Sequence, residues 1–291
     1  MTFRGSLVAI ITPFRNGTVD EKALGDLIEW QIANGTDGIV PCGTTGESAT
    51  LTHEEHKRVV EFTIEAVKRR VPVIAGTGSN ATDEAIEFTR HARSAGADAA
   101  LLISPYYNKP TQEGLYRHHK AIAEAVDIPQ ILYNIPGRTA VNMAPATVAR
   151  LATVKNIVGI KEGSGSLQQV SEIVQACGDR FTVLAGDDAL TLPMMAVGAT
   201  GVITVTANVA PAEMAALVDA WEAGNVAKAR ALHFKLYPLF QALFFETNPV
   251  PVKHALALMG RATADVRLPL CAMSQENLDK LTRVMKDYGL V

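Results

Sequence analysis

Cysteine is scarce. The 291 residues hold three, Cys42, Cys177 and Cys271, too few and too scattered for a disulfide framework or a cysteine-built zinc site. They read as reduced, packed thiols of a cytosolic protein. A basic excess is missing as well. Lys and Arg number 27 against 30 Asp and Glu, a formal net charge of −3, so nothing is set aside to neutralise phosphates and nucleic acid is not an expected partner. Gly (22) and Pro (14) stay at ordinary levels, which excludes collagen-like and low-complexity chains. Hydrophobic residues at 48% supply a core and exclude disorder.

Membrane-crossing runs are also lacking, although two stretches imitate them. Ser6 to Ile11 resembles the apolar part of a signal peptide, but Pro13 and Arg15 cut it short and no small-x-small cleavage site follows. It reads as a first strand. Ala189 to Ala212 carries no charge, yet it contains Pro193, Gly198, Gly201, Asn208, Pro211 and four threonines. A short buried helix, a strand at 202–205 and a loop fit it better than a span of about 20 apolar residues. No membrane partner is expected.

What is present is a repeat. Short apolar runs recur at residues 7–11, 38–40, 73–75, 99–103, 130–132, 157–160, 182–184 and 202–205. Amphipathic helical spacing separates them, most clearly at 53–70, 83–95, 114–125, 145–151 and 167–176. Strands without polar alternation belong to a parallel sheet covered on both faces. An open doubly wound sheet is the rival, but eight even repeats favour closure into a (β/α)₈ TIM barrel. Beyond residue 211 only helical patterns remain, so the chain divides into a catalytic barrel at 1–224 and a C-terminal helical region at 225–291, without a flexible linker.

In such a barrel, chemistry sits where strands end and the βα loops begin. Lys161 follows an apolar run there; burial disfavours an ammonium, and a neutral amine can attack a carbonyl. A lysine paired with Glu162 or simply solvated is the plain alternative. Tyr133 ends the preceding strand, about 4.8 Å away, where a phenol can shuttle protons beside an imine. Thr44 and Thr45 lie in a turn flanked by Gly43 and Gly46, whose exposed N–H groups suit a carboxylate. Arg138, in the loop beyond Tyr133, offers a guanidinium for another carboxylate.

Other patterns compete with these. Gly76-Thr77-Gly78-Ser79-Asn80-Ala81 has the form of a dinucleotide fingerprint, but the next strand offers no acidic residue for a ribose. His53 and His56 stand three apart, not at zincin spacing, and no metal site is expected. The loops after strands seven and eight hold Asp187 and Asp188 and no basic residue, which argues against a phosphorylated sugar.

Taken together, Gly43-Thr44-Thr45-Gly46-Glu47, Ser104-Pro105-Tyr106-Tyr107, the segment from Tyr133 through Arg138 to Thr139, and Lys161-Glu162 closely resemble the dihydrodipicolinate synthase family. The likeness runs from Gly5-Ser6-Leu7-Val8 through Val205 to Val209 and on to Asn248-Pro249-Val250-Pro251-Val252-Lys253. N-acetylneuraminate lyase and keto-deoxy-sugar aldolases share the lysine, the tyrosine and a similar Gly-rich loop; the double threonine and Arg138 favour the synthase.

The resemblance implies condensation of pyruvate with L-aspartate 4-semialdehyde, with no metal or organic cofactor. Lys161 would form the imine with pyruvate, and Tyr133, Thr44 and Tyr107 would relay protons. Tyr107 would come from a neighbouring subunit, making a dimer the minimum unit; the family's usual form is a homotetramer. Thr45 and the backbone at Ile203 would hold pyruvate's carboxylate, with Gly186 nearby, and Arg138 would receive the semialdehyde's carboxylate. Lysine-inhibited members bind the effector at a dimer interface matched here by Ser48, Ala49, His53, His56, Asn80, Glu84 and Tyr106, so feedback by lysine is expected. A sister sugar-acid lyase and a silent sensor barrel are the competing readings.

Overall fold

The computed structural model describes residues 3–291. Its strands are β1 (Gly5–Ala9), β2 (Gly38–Val40), β3 (Ile74–Gly76), β4 (Ala99–Ile103), β5 (Gln130–Asn134), β6 (Ile157–Glu162), β7 (Thr182–Ala185) and β8 (Gly201–Thr204). They pair in the order β2-β1-β8-β7-β6-β5-β4-β3, all in parallel. A parallel bridge between Ile39 and Val73 spans the remaining seam, and Gly76 N–H donates to Pro41 O at 2.9 Å. The ring is therefore closed, and the expected TIM barrel is the observed fold. Outside it lies a small hairpin, Phe14–Arg15 paired with Thr18–Val19.

Alternation along each strand sorts the side chains. Leu7, Val40, Ile74, Leu101, Ile131, Leu184 and Ile203 fill the barrel interior, while Val8, Ile39, Leu132, Ile160 and Val183 face the surrounding helices. Full burial of each such side chain is worth about 1.5–3 kcal/mol, so both layers are required. Because the faces alternate, a slip of one residue would turn Lys161 out of the barrel.

Every expected strand forms, with shifted ends. β1 begins two residues earlier than anticipated, and β5 and β6 run on through Asn134 and Glu162, which places Tyr133 and Lys161 inside the sheet. The helix Glu21–Ala33 fills the first strand–helix unit, although it is not among the clearest helical patterns in the sequence; the Asp20 side chain caps it by accepting from Ala23 N at 3.0 Å and Leu24, Leu27 and Ile28 form its buried stripe. Arg138 sits on a single helical turn, Pro136–Thr139, rather than in a loop; Pro136 presets the first helical φ.

The C-terminal helices are Pro211–Glu222, Val226–Ala242, Val250–Leu258 and Gln275–Tyr288. Gly224, at φ 73°, breaks the first from the second. Leu236, Leu239, Leu281 and Met285 nevertheless belong to the same apolar cluster as Val183 and Val205, so the core is continuous across that break. Among the described residues no helix is long and apolar enough to cross a membrane.

Candidate active site

Register places the central pair. Tyr133 on β5 lies directly opposite Lys161 on β6, which in turn lies opposite Leu184 on β7, so both functional side chains point into the barrel. Lys161 Nζ sits 4.3 Å from the centre of the Tyr133 ring, and the two residues are 6% and 4% exposed. Their sequence neighbours, one step along and therefore on the outer face, also meet. Asn134 Nδ2 donates to Glu162 Oε2 at 3.0 Å, and the Glu162 carboxylate also accepts from Ser164 N (2.7 Å) and Gln169 Nε2 (3.2 Å). Glu162 is thus turned away from Lys161, contrary to the plain pairing considered from the sequence. The outer hydrogen bonds hold the two strands together behind the Tyr133–Lys161 pair.

The Gly43–Glu47 turn forms another wall. Left-handed residues bracket it, Cys42 at φ 54° and Glu47 at φ 52°. Gly46 N–H donates to Gly43 O and Glu47 N–H to Thr44 O, both at 3.1 Å. Among the described residues the amides of Thr44 and Thr45 have no acceptor, which leaves two donors for an anion. Thr45 is buried, and its Oγ1 accepts from Asn248 Nδ2 at 3.0 Å. Asn248 also offers its carbonyl to Arg138 Nη2 at 3.0 Å. Sequence reasoning gave Asn248 no role; the only signal was its place in the family-like Asn248-Pro249 segment.

Thr44 lines two cavities. The smaller, about 30 Å³, reaches Tyr133 between Cys42, Gly76 and Leu101. The larger, about 450 Å³, runs from Arg138 and Asn248 past Ser48, Ala49, His53, His56, Glu84 and Tyr106. Asn80 does not line it, its carbonyl being taken by Asn108 Nδ2 at 2.8 Å. Lys161, Thr45, Gly186 and Ile203 line neither cavity. Gly186 donates its N–H to Glu162 O at 2.7 Å, and Ile203 is buried on β8. Tyr107 is not brought to the site of its own chain: it stands 91% exposed at φ 71° on the tip after β4.

Inside the larger cavity His53 Nε2 lies 2.9 Å from Glu84 Oε1, and the Ser79 hydroxyl donates to the other Glu84 oxygen. His56 stacks on Phe88 at 4.2 Å between ring centres, and burial pulls its pKa down to about 4, keeping it neutral. Burial, with Glu84 nearby, raises the Tyr106 phenol. Thr52 starts the helix His53–Val67 with a reciprocal capping box to Glu55, which fixes both histidines on its first turn.

The competing patterns have structural explanations. A side chain on Gly76 would lie 2.2 Å from Cys42 O and one on Gly78 2.3 Å from Ile103 N, so close backbone approach accounts for the glycines of that fingerprint. Among the described residues no three His, Cys, Asp or Glu groups gather as metal ligands. Asp188 is buried and accepts from Val205 N (3.1 Å) and Thr206 N (2.7 Å), shaping the loop after β8. Cys42 is buried, and desolvation raises its thiol pKa, so it is a packing residue.

A closed barrel that buries an amine against a phenol ring, with free amides and a guanidinium at the strand ends, has the architecture of the imine-forming barrel lyases. The chain belongs to the dihydrodipicolinate synthetase family, whose model matches residues 2–288. It is 65% identical over 289 residues to the 4-hydroxy-tetrahydrodipicolinate synthase of Syntrophus aciditrophicus, covering 99% of each chain. The chloride-inhibited dihydrodipicolinate synthase of Acinetobacter baumannii, solved with pyruvate, superposes with a TM-score of 0.98 at 47% identity over 100% of both chains. The lysine-bound enzyme of Cyanidioschyzon merolae gives 0.97 at 41% identity over 99% of both.

Proposed function

We propose that this chain condenses pyruvate with L-aspartate 4-semialdehyde to give 4-hydroxy-tetrahydrodipicolinate, a step toward diaminopimelate and lysine. The observation that carries the reading is the Tyr133–Lys161 pair, in register and buried inside the barrel. The amine of Lys161 attacks the ketone, a proton moves to the departing hydroxyl, and water leaves as the imine forms. Loss of a methyl proton gives the enamine, which adds to the aldehyde. The semialdehyde's amine then attacks the imine carbon, and ring closure returns Lys161 as a free amine. Tyr133 carries these protons, with Thr44 beside it. The amine supplies the covalent catalysis, so the reaction asks for no metal or organic cofactor.

Thr45 and the free amides of the turn receive pyruvate's carboxylate, with Gly186 and the Ile203 backbone completing that end of the barrel. Arg138, at the rim, receives the carboxylate of the second substrate. Tyr107 completes the proton relay in the site of a second copy; its almost complete exposure supports that role. A homodimer is then the smallest working unit, and a tetramer of two such dimers the full assembly. Free lysine occupies the larger cavity, with Glu84 facing its ammonium and Tyr106 its carboxylate, while Ser48, Ala49, His53 and His56 form the walls and Asn80 stands outside it. Three unpaired cysteines suit a cytoplasmic location.

Product analysis tests the reaction. Pyruvate with aspartate semialdehyde should give the cyclic product, and millimolar lysine should slow it. Cleavage of N-acetylneuraminate or keto-deoxy-gluconate in its place would contradict the proposal.

A further inference from the structure

Glu47 is the last residue of the Thr44–Thr45 turn and one of its two left-handed ends. A non-glycine residue holds that conformation only where its surroundings fix it. Within the turn two bonds of 3.1 Å are joined by Ser48 N reaching Gly43 O at 3.4 Å; outside it, Thr12 Oγ1 donates to Gly46 O at 2.7 Å and Thr50 N to Glu47 O at 3.0 Å, all of them to or from backbone. The Glu47 carboxylate instead points into the C-terminal region. One oxygen pairs with the ammonium of Lys253, on the helix Val250–Leu258, and the other accepts Arg267 N–H at 3.1 Å.

Lys253 is 0% exposed, rare for a lysine. Its Nζ donates to Asp265 O at 2.8 Å and lies 4.0 Å from the centre of the Phe14 ring. Burial pulls its pKa down to about 8, with Glu47 opposing. A buried ion pair gives little net stability over well-packed apolar side chains, whereas removing one partner alone leaves a costly uncompensated charge. Five residues earlier on the same segment, Asn248 donates to Thr45 Oγ1. The segment from Asn248 to Lys253 thus grips the turn at Thr45 and again at Glu47.

We propose that Lys253 and Glu47 are a positioning pair which holds the Thr44 and Thr45 amides in the arrangement that receives a keto acid's carboxylate. Neither side chain touches the reacting atoms. The role rests on the imine chemistry proposed above and specifies what shapes one end of that site.

The test is borohydride trapping of pyruvate on the full-length protein, titrated in pyruvate and read by intact mass, beside steady-state kinetics. In Lys253→Met the half-saturating pyruvate concentration should rise about tenfold or more, since misplacement by a fraction of an ångström at a binding turn carries such penalties. The KM for aspartate semialdehyde should stay within about twofold, a split that general destabilisation would not produce. The double variant Lys253→Met/Glu47→Gln removes both charges and leaves no unpaired ion, so it keeps the test decisive if the single variant fails to fold. Its thermal midpoint should match wild type while the raised pyruvate requirement persists. A folded double variant that saturates with pyruvate like wild type would overturn the positioning role alone. Absence of trapping in wild type would overturn the imine chemistry and this role with it.

Discussion

Tyr133 and Lys161 are held by adjacent strands of one ladder, 28 positions apart, whereas Thr45 is held by Asn248, 203 positions further along the chain. The first pair needs only the β5–β6 register and the outer-face bond between Asn134 and Glu162. The turn at Thr44–Thr45 needs a second region to be folded and docked. On the roles proposed for them, covalent chemistry rests on the sheet, which is hard to distort, and carboxylate recognition on a contact between the barrel and its C-terminal helices. Changes in the two regions should separate kinetically, the first in turnover and the second in pyruvate saturation.

The largest effect expected from breaking the strand-borne half short of the amine is Tyr133→Phe. It keeps the ring beside Lys161 and removes the proton carrier, so kcat should fall about 10²–10⁴-fold while pyruvate half-saturation barely moves. A kcat near wild type would show that another group carries the proton. Next comes Arg138→Ala at the rim. Losing a charge-assisted bond worth about 1.5–3 kcal/mol should lower kcat/KM for aspartate semialdehyde about 10–150-fold, with pyruvate trapping unchanged. Equal losses for both substrates would place the guanidinium nearer the imine than proposed. The mildest change is Asn248→Ala, which deletes the bond to Thr45 Oγ1 but leaves the carbonyl that holds Arg138. One neutral hydrogen bond of about 1 kcal/mol predicts roughly fivefold weaker pyruvate saturation. No shift in saturation curves would detach the C-terminal region from the turn.

The same contrast explains what could be read from the amino-acid order. Eight apolar runs announced the barrel, and Lys161 and Tyr133 were legible because each ends such a run, leaving the sheet to do the rest. The strand ends were less clear, since Asn134 and Glu162 are polar residues in strand conformation whose partners, Asn142 and Gln169, arrive from later loops and helices. Lys253 stands out in the sequence only as part of a family-like segment, because nothing local marks a lysine as buried; its partner Glu47 lies far back in the chain. The helix Glu21–Ala33 has a local signal, a capping Asp20 and a 3–4 apolar spacing, but a weaker one than the helical patterns that follow it. Tyr107 was singled out by resemblance alone, and its own chain leaves it facing outward.

Trapping with pyruvate and borohydride, followed by peptide mapping, bears on the imine itself. A single stoichiometric adduct should map to the peptide containing Lys161, and Lys161→Ala, folded as wild type, should take up none. An adduct on any other lysine, or an unlabelled wild type, would contradict the account.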